Sequence, residues 1–128
     1  MATNQAGTTV NILTGEAITQ YACVMFNSSG VLVETTGVAS EDNKFVGVAQ
    51  MATASGAMCP VTLHGTGSVF CIATSTFAIG AKLYTMDDGE VDDVVTSLTV
   101  VGIAMEAATA ADDIIEVMPI AGSNDDIS

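Results

Sequence analysis

The chain has 128 residues, 49% of them hydrophobic, which is enough for one domain with a buried core and too much for whole-chain disorder. Fifteen acidic residues face two basic ones, Lys44 and Lys82, giving a formal net charge of −13. Two lysines cannot displace counterions from many phosphates, so nucleic acid and anionic membrane surfaces are excluded as partners, and no apolar run approaches the roughly 18 to 20 residues of a membrane-crossing helix.

In chain order, residues 1–12 read as an extended N-terminal arm. The start is small and polar, and the arm ends in Thr8-Thr9-Val10-Asn11-Ile12. Val10–Leu13 is the first strand candidate. Residues 15–20 (GEAITQ) are ambiguous between a loop and a helical turn. Ala22–Phe26, then Asn27-Ser28-Ser29-Gly30, then Val31–Val33 is the pattern of a hairpin whose Gly30 takes positive φ without steric cost. Thr35–Lys44 reads as a variable loop. Strand candidates follow at Phe45–Met51, Pro60–His64 and Ser68–Ala73. Lys82–Thr85, Asp87-Asp88-Gly89 and Val91 form a second hairpin pattern, turning at Gly89. The last strand candidates are Leu98–Met105 and Ile114–Ile120. Residues 106–113 (EAATAADD) carry helical propensity but no apolar face at helical spacing, so they read as a loop or one turn. Residues 123–128 form an acidic tail. The fold class is therefore all-β, a compact small barrel or sandwich over residues 13–122, and the sequence leaves the two closures open.

The cysteines, Cys23, Cys59 and Cys71, are odd in number and share no C-x-x-C spacing. They read as buried free thiols in a chain made in a reducing cytoplasm, and the start of the chain does not have the pattern of a signal peptide.

The hairpins belong to an internal repeat. Gly30 and Gly89 lie 59 positions apart (89 − 30), and Val46-Gly47-Val48-Ala49 matches Val101-Gly102-Ile103-Ala104 at an offset of 55 (101 − 46). Met58–Val61 then corresponds to Ile114–Val117. The halves run over about 13–65 and 68–122, and the first carries the longer loop. In each V-G-[VI]-A element, small residues on one face (Gly47 and Ala49, Gly102 and Ala104) let another backbone approach closely, as at the corner of a small barrel. Units near 50 residues are expected to close on each other.

Taken together, these motifs resemble the small decoration (cement) proteins of tailed bacteriophages. The first copy is Ala17-Ile18-Thr19-Gln20-Tyr21-Ala22-Cys23-Val24, with Asn27 to Gly30 and Val46–Ala49. The second is Ala78-Ile79-Gly80-Ala81-Lys82-Leu83, with Asp87 to Gly89 and Val101–Ala108. The resemblance covers about residues 13 to 121. It implies a tulip-like β-barrel that sits as a homotrimer on the outer capsid surface of the virion. There it would bridge major capsid proteins and stabilise the expanded shell, with no catalytic residues and no cofactor. Thr8, Thr9, Val10, Asn11 and Ile12 could add an edge strand to the shell, or Val10 and Ile12 could pack within their own subunit.

Catalytic chemistry has little to build on. His64 is the single histidine, at a strand end beside Gly65, and reads as a turn or surface residue; neither a Ser-His-Asp set nor a zinc site is visible around it. There is no phosphate-binding glycine loop. The acidic groups Asp87-Asp88-Gly89-Glu90 with Asp92-Asp93, and Asp112-Asp113 with Glu116, miss calcium-loop spacing and read as solvated turns. The runner-up function is a carbohydrate-binding or adhesive β-module of a head fibre, although surface aromatics are scarce. An enzyme of unknown type, or a subunit of a non-viral shell, stands behind it.

Overall fold

Short β-branched and aromatic runs, each ended by glycine, asparagine or aspartate, give strands too short to be stable alone. They must pair and curl to bury one face. The computed structural model describes residues 7–95 and 97–120; the acidic tail and the first six residues of the arm lie outside these. The described strands are β1 (Thr9–Leu13), β2 (Cys23–Phe26), β3 (Leu32–Glu34), β4 (Phe45–Ala49) and β5 (Met58–Leu63) in the first half. The second half holds β6 (Val69–Ile72), β7 (Lys82–Thr85), β8 (Val91–Asp92), β9 (Val100–Ala104) and β10 (Ile114–Pro119). Every segment read as a strand is one. Residues 106–113 form turns without a helix. The one departure is a short helix, α1 (Ala39–Asp42), inside the segment read as a loop. Four residues cannot hold a helix by propensity, so tertiary contacts must hold this one.

Each half forms a five-stranded antiparallel sheet, with orders β1-β5-β4-β2-β3 and β6-β10-β9-β7-β8. The two orders are the same, and the agreement extends to single hydrogen bonds. Tyr21 N–H donates to Ala49 O at 2.9 Å, and Gly80 N–H to Ala104 O at 2.8 Å. Ala49 N–H donates to Ala22 O, and Ala104 N–H to Ala81 O, both at 2.9 Å. Each sheet also curls until the end of its first strand meets its third, through parallel bridges Thr14 to Leu32 and Ala73 to Val91. These bridges refine one motif match. Ile18 pairs with Thr53 and Phe77 pairs with Ala108, so Phe77, not Ile79, is the counterpart of Ile18; Ile79 is 66% exposed.

A register shift recurs at one place in both halves. Val24 faces Gly47 while Met25 faces Phe45, leaving Val46 unpaired; Leu83 faces Gly102 while Tyr84 faces Val100, leaving Val101 unpaired. These bulges bend the sheets where the glycines sit. A Cβ on Gly47 would collide with the Thr62 carbonyl oxygen, and one on Gly102 with that of Met118. Both glycines are buried, as are Ala49 and Ala104.

One core cluster lies within the first half and includes Ile18, Val24, Leu32, Ala49, Cys59 and Val61. The larger one centres on Leu83, Val91, Val101, Ile115 and Val117 of the second half, and it takes in Cys23 and Val48 from the first. Sheet one thus faces its own core with Val24 and Ala49 and seals the second core with Cys23 and Val48.

The glycines give a test. Gly47→Ala and Gly102→Ala should each cost about 2 kcal/mol or more, and similar amounts, because each forces a strand backbone to move. Gly30, with φ +79 and nothing within 4 Å of its Cβ position, should cost only about 1 kcal/mol as Ala. Urea denaturation of the three variants measures the contrast, and equal losses at Gly30 and Gly102 would refute it.

Candidate functional site

The joint between the halves is built by one hairpin tip and one helix. At the tip, Asp88 (φ 59) and Gly89 (φ 73) both take the left-handed region, which makes the two-residue turn that matches strand twist. Gly89 then enters the first half. Its carbonyl accepts from Cys23 N–H at 2.8 Å and its N–H donates to Thr35 O at 3.3 Å. A Cβ there would lie 2.6 Å from Ala22 Cβ, so both φ and space demand glycine. Gly30, its counterpart, stands in the open. The reading of Asp87–Asp93 as a solvated turn is therefore corrected in part. Asp87, Asp88 and Asp93 are exposed, but Gly89 is buried, and so is Asp92, whose carboxyl oxygens accept from Ser75 Oγ at 3.1 and 3.2 Å.

Helix α1 answers from the other side. Its Asp42 is fully buried. Oδ1 accepts from Thr36 N–H at 2.9 Å and Thr36 Oγ1 at 3.1 Å, while Oδ2 accepts from Gly37 N–H at 2.8 Å. Thr85 of the second half donates to Oδ2 at 2.7 Å, and Thr99 donates to the Asp42 carbonyl at 3.1 Å. Ser97 Oγ lies 2.7 Å from Thr85 Oγ1 and accepts from Thr99 N–H at 3.1 Å. A buried carboxyl group is tolerated because neutral donors meet both its oxygens. Nothing in the sequence marked Asp42: the partners that tie it across the joint, Thr85 and Thr99, lie at distant positions in the other half.

Beside this joint is a cleft of about 510 Å³ lined by Glu16, Glu34, Glu41, Asp87, Asp88 and Lys44, among others. Burial raises the Glu34 carboxyl above its ordinary pKa; hydrogen bonds from Thr19 work against that, and the charges of Glu16 and Asp88 add to it. Glu90 is raised likewise, by burial first. Asp113 is lowered, chiefly by the Thr109 N–H it accepts at 2.8 Å, and so caps the turn it sits in. Among the described residues, no group of three or more His, Cys, Asp or Glu is placed to hold a metal.

All three cysteines are buried and free. Cys23 meets Cys71 across the joint, and this hydrogen bond, together with burial, pushes the Cys23 thiol well above its ordinary pKa. His64 lies in the turn that follows β5, the first of the two readings the sequence allowed. It is half-buried, its ring packs on Phe45 at a centroid distance of 4.9 Å, and its Nε2 has no hydrogen-bond partner among the described residues.

The segment Thr8–Ile12 lies on its own sheet. Thr9 to Leu13 pair in register with Thr62 to Met58 of β5, and Ile12 packs against the first core. Two apolar surfaces remain open: Leu13, Met51 and Met58 on the first half, and Phe70, Ile114 and Met118 on the second, each 45–56% exposed.

With this geometry in place, comparison with known proteins gives two matches. The profile of the phage cement protein family matches residues 2–119. The crystal structure of the head fibre gp8.5 N base of bacteriophage phi29 is similar in fold, with a TM-score of 0.67 and 17% sequence identity, over 91% of this chain and 96% of that one. No curated protein sequence matches the chain.

Two outcomes follow from the geometry. Asp42→Ala strands four donors and should cost about 3 kcal/mol or more, with Asp42→Asn in between; a loss under about 1 kcal/mol in urea denaturation would contradict the joint described here. For His64, burial lowers the pKa and a hydrogen bond with the Ile120 backbone opposes it. The unfolded chain then binds the proton more readily, so this residue's stabilisation is complete above about pH 6.5 and declines as pH falls through the window below that value. The melting temperature of wild type minus that of His64→Phe should therefore fall between pH 7.5 and 5.5, and a constant difference would refute this.

Proposed function

Because the chain belongs to the phage cement protein family, we propose that it binds the outer surface of the expanded capsid as a homotrimer and bridges neighbouring major capsid proteins. A structural role at the virion capsid follows from the family; the trimer, the bridging and the outer face are the further reading. The observation that carries it is the family match across residues 2–119.

The physics suits such a role. A cement protein needs complementary surface and no reactive group, and the single imidazole is engaged in packing on Phe45. Three copies docking together multiply weak contacts through effective concentration. The charge of −13 keeps free copies soluble during synthesis in the host cytoplasm and turns a negative surface to water once they are bound. The segment Thr8 to Ile12, which overlaps β1, is a capsid-contact element in this reading.

The likeness to a head-fibre base favours a second reading, in which the chain is the foot of an adhesive or sugar-binding fibre. One experiment separates the two. Purified protein is added to expanded shells that lack it, and the mixture is sedimented and heated. Saturable binding in multiples of three per site, with a raised shell-disruption temperature, is expected. Failure to co-sediment, or binding without any shell stabilisation, would reject the cement role and leave the fibre-base reading.

A further inference from the structure

The first half has an opening that the second half does not. In the second half, Val69 and Cys71 on the first strand are 8% and 0% exposed, because Cys23 and Val48 seal the core behind them. Their counterparts at an offset of 59 (69 − 10 and 71 − 12) are Val10 and Ile12 of β1. Val10 is 36% exposed and Ile12 is half-buried. Among the described residues, no second unit covers them as the first half covers Val69 and Cys71.

β1 is also an edge strand. The Thr8 carbonyl accepts from Leu63 N–H at 2.9 Å, and Thr14 N–H donates to Ala57 O at 3.0 Å. In an antiparallel pair this alternates, so even-numbered residues turn their amides to β5, and Thr9 and Asn11 turn theirs to the open side. Natural edges are blunted by charge, proline, bulges or short length. Residues 7–14 (GTTVNILT) carry no charge and no proline, in a chain with fifteen acids, and β1 pairs with β5 without a bulge. Of the other outer strands, β3 and β8 are three and two residues long and carry Glu34 and Asp92, while β6 is as uncharged as β1 but has Val69 and Cys71 buried in the second core. Leu13, Met58 and Met51 extend the open edge with apolar and partly flexible side chains, which adapt well to a partner.

We infer that β1 is a strand-acceptor edge, and that its occupant is an extended, uncharged or basic segment of the shell subunit. That segment adds to Thr9–Ile12, short of the Thr14 to Leu32 bridge where β3 closes the same edge, hydrogen-bonds the outward amides of Thr9 and Asn11, and covers Val10 and Ile12. The identity of the partner rests on the proposed function. A second copy is the poorer occupant, because two β1 edges meeting antiparallel make a two-fold contact, which a three-fold assembly cannot use.

The test uses the full chain and shells lacking it. Asn11→Pro removes an outward N–H, and Asn11 sits opposite Pro60 at a pair with no bond to lose, so the fold should survive. Binding to shells should weaken at least tenfold in Asn11→Pro and stay within twofold in Phe70→Ser/Met118→Ser. In parallel, hydrogen exchange on wild type should show the Thr9 and Asn11 amides exchanging freely in the unbound protein and protected on shells. This readout holds even if the proline variant misfolds. Undiminished binding by a folded Asn11→Pro, absent protection, or a solution oligomer that Asn11→Pro dissolves would overturn the inference while leaving shell binding intact. Wild type that ignores the shells would instead reject the proposed function, and this partner with it.

Discussion

Everything about the joint between the halves turns on the buried carboxyl of Asp42. Its oxygens are met by two backbone N–H groups and two hydroxyls, and one of those hydroxyls, Thr85, belongs to the other half. Buried polar groups are costly when partly satisfied and specific when fully satisfied. Sliding one half against the other by a single residue would strand the carboxyl and its donors together. Apolar contacts such as Cys23 and Val48 on the second core are less demanding and would tolerate several registers. The carboxyl fixes the register, and the wedge at Gly89 fixes the approach.

That division of labour explains why a duplicated unit is not symmetric in use. Strand order, bulge position and bridging hydrogen bonds repeat, because each half must solve the same problem of curling a short sheet around a small core. The turn glycines do not repeat in role: Gly30 meets only solvent, whereas Gly89 is pressed onto Ala22. One half donates its hairpin tip and the other receives it, so the contact is head-to-tail.

The strands were legible because period-two patterning and Gly/Asn/Asp turns are local signals. Gly47 and Gly102 could be read as points of close approach from the V-G-[VI]-A pattern, and the structure gives that approach its atoms, the carbonyls of Thr62 and Met118. What the sequence hid was long-range. α1 has no side-chain cap and only four residues, so no periodicity could show it. Asp42 looked like one acid among fifteen, and the donors that carry it across the joint, Thr85 and Thr99, lie in the other half of the chain. His64 lies in a turn as its place at a strand end beside glycine suggested, but only tertiary packing brings Phe45 against its ring. The same limit applies to Ile18, whose partner in the repeat was obscured by the chance echo of Ala-Ile at 78–79.

A head-to-tail contact has no natural last member: repeated, it would grow a fibre, as open heterologous interfaces do. In the second half the equivalent outward face carries a charge. At the position where the first half offers Cys23 to its neighbour, the second half offers Lys82 (82 − 23 = 59), an exposed cation that a further apolar core could not bury without cost. Among the described residues, the shorter loop of the second half holds no counterpart of α1. Lys82 is one of only two basic residues in the chain, and at its position the apolar contact that Cys23 makes in the first half is replaced by a charge.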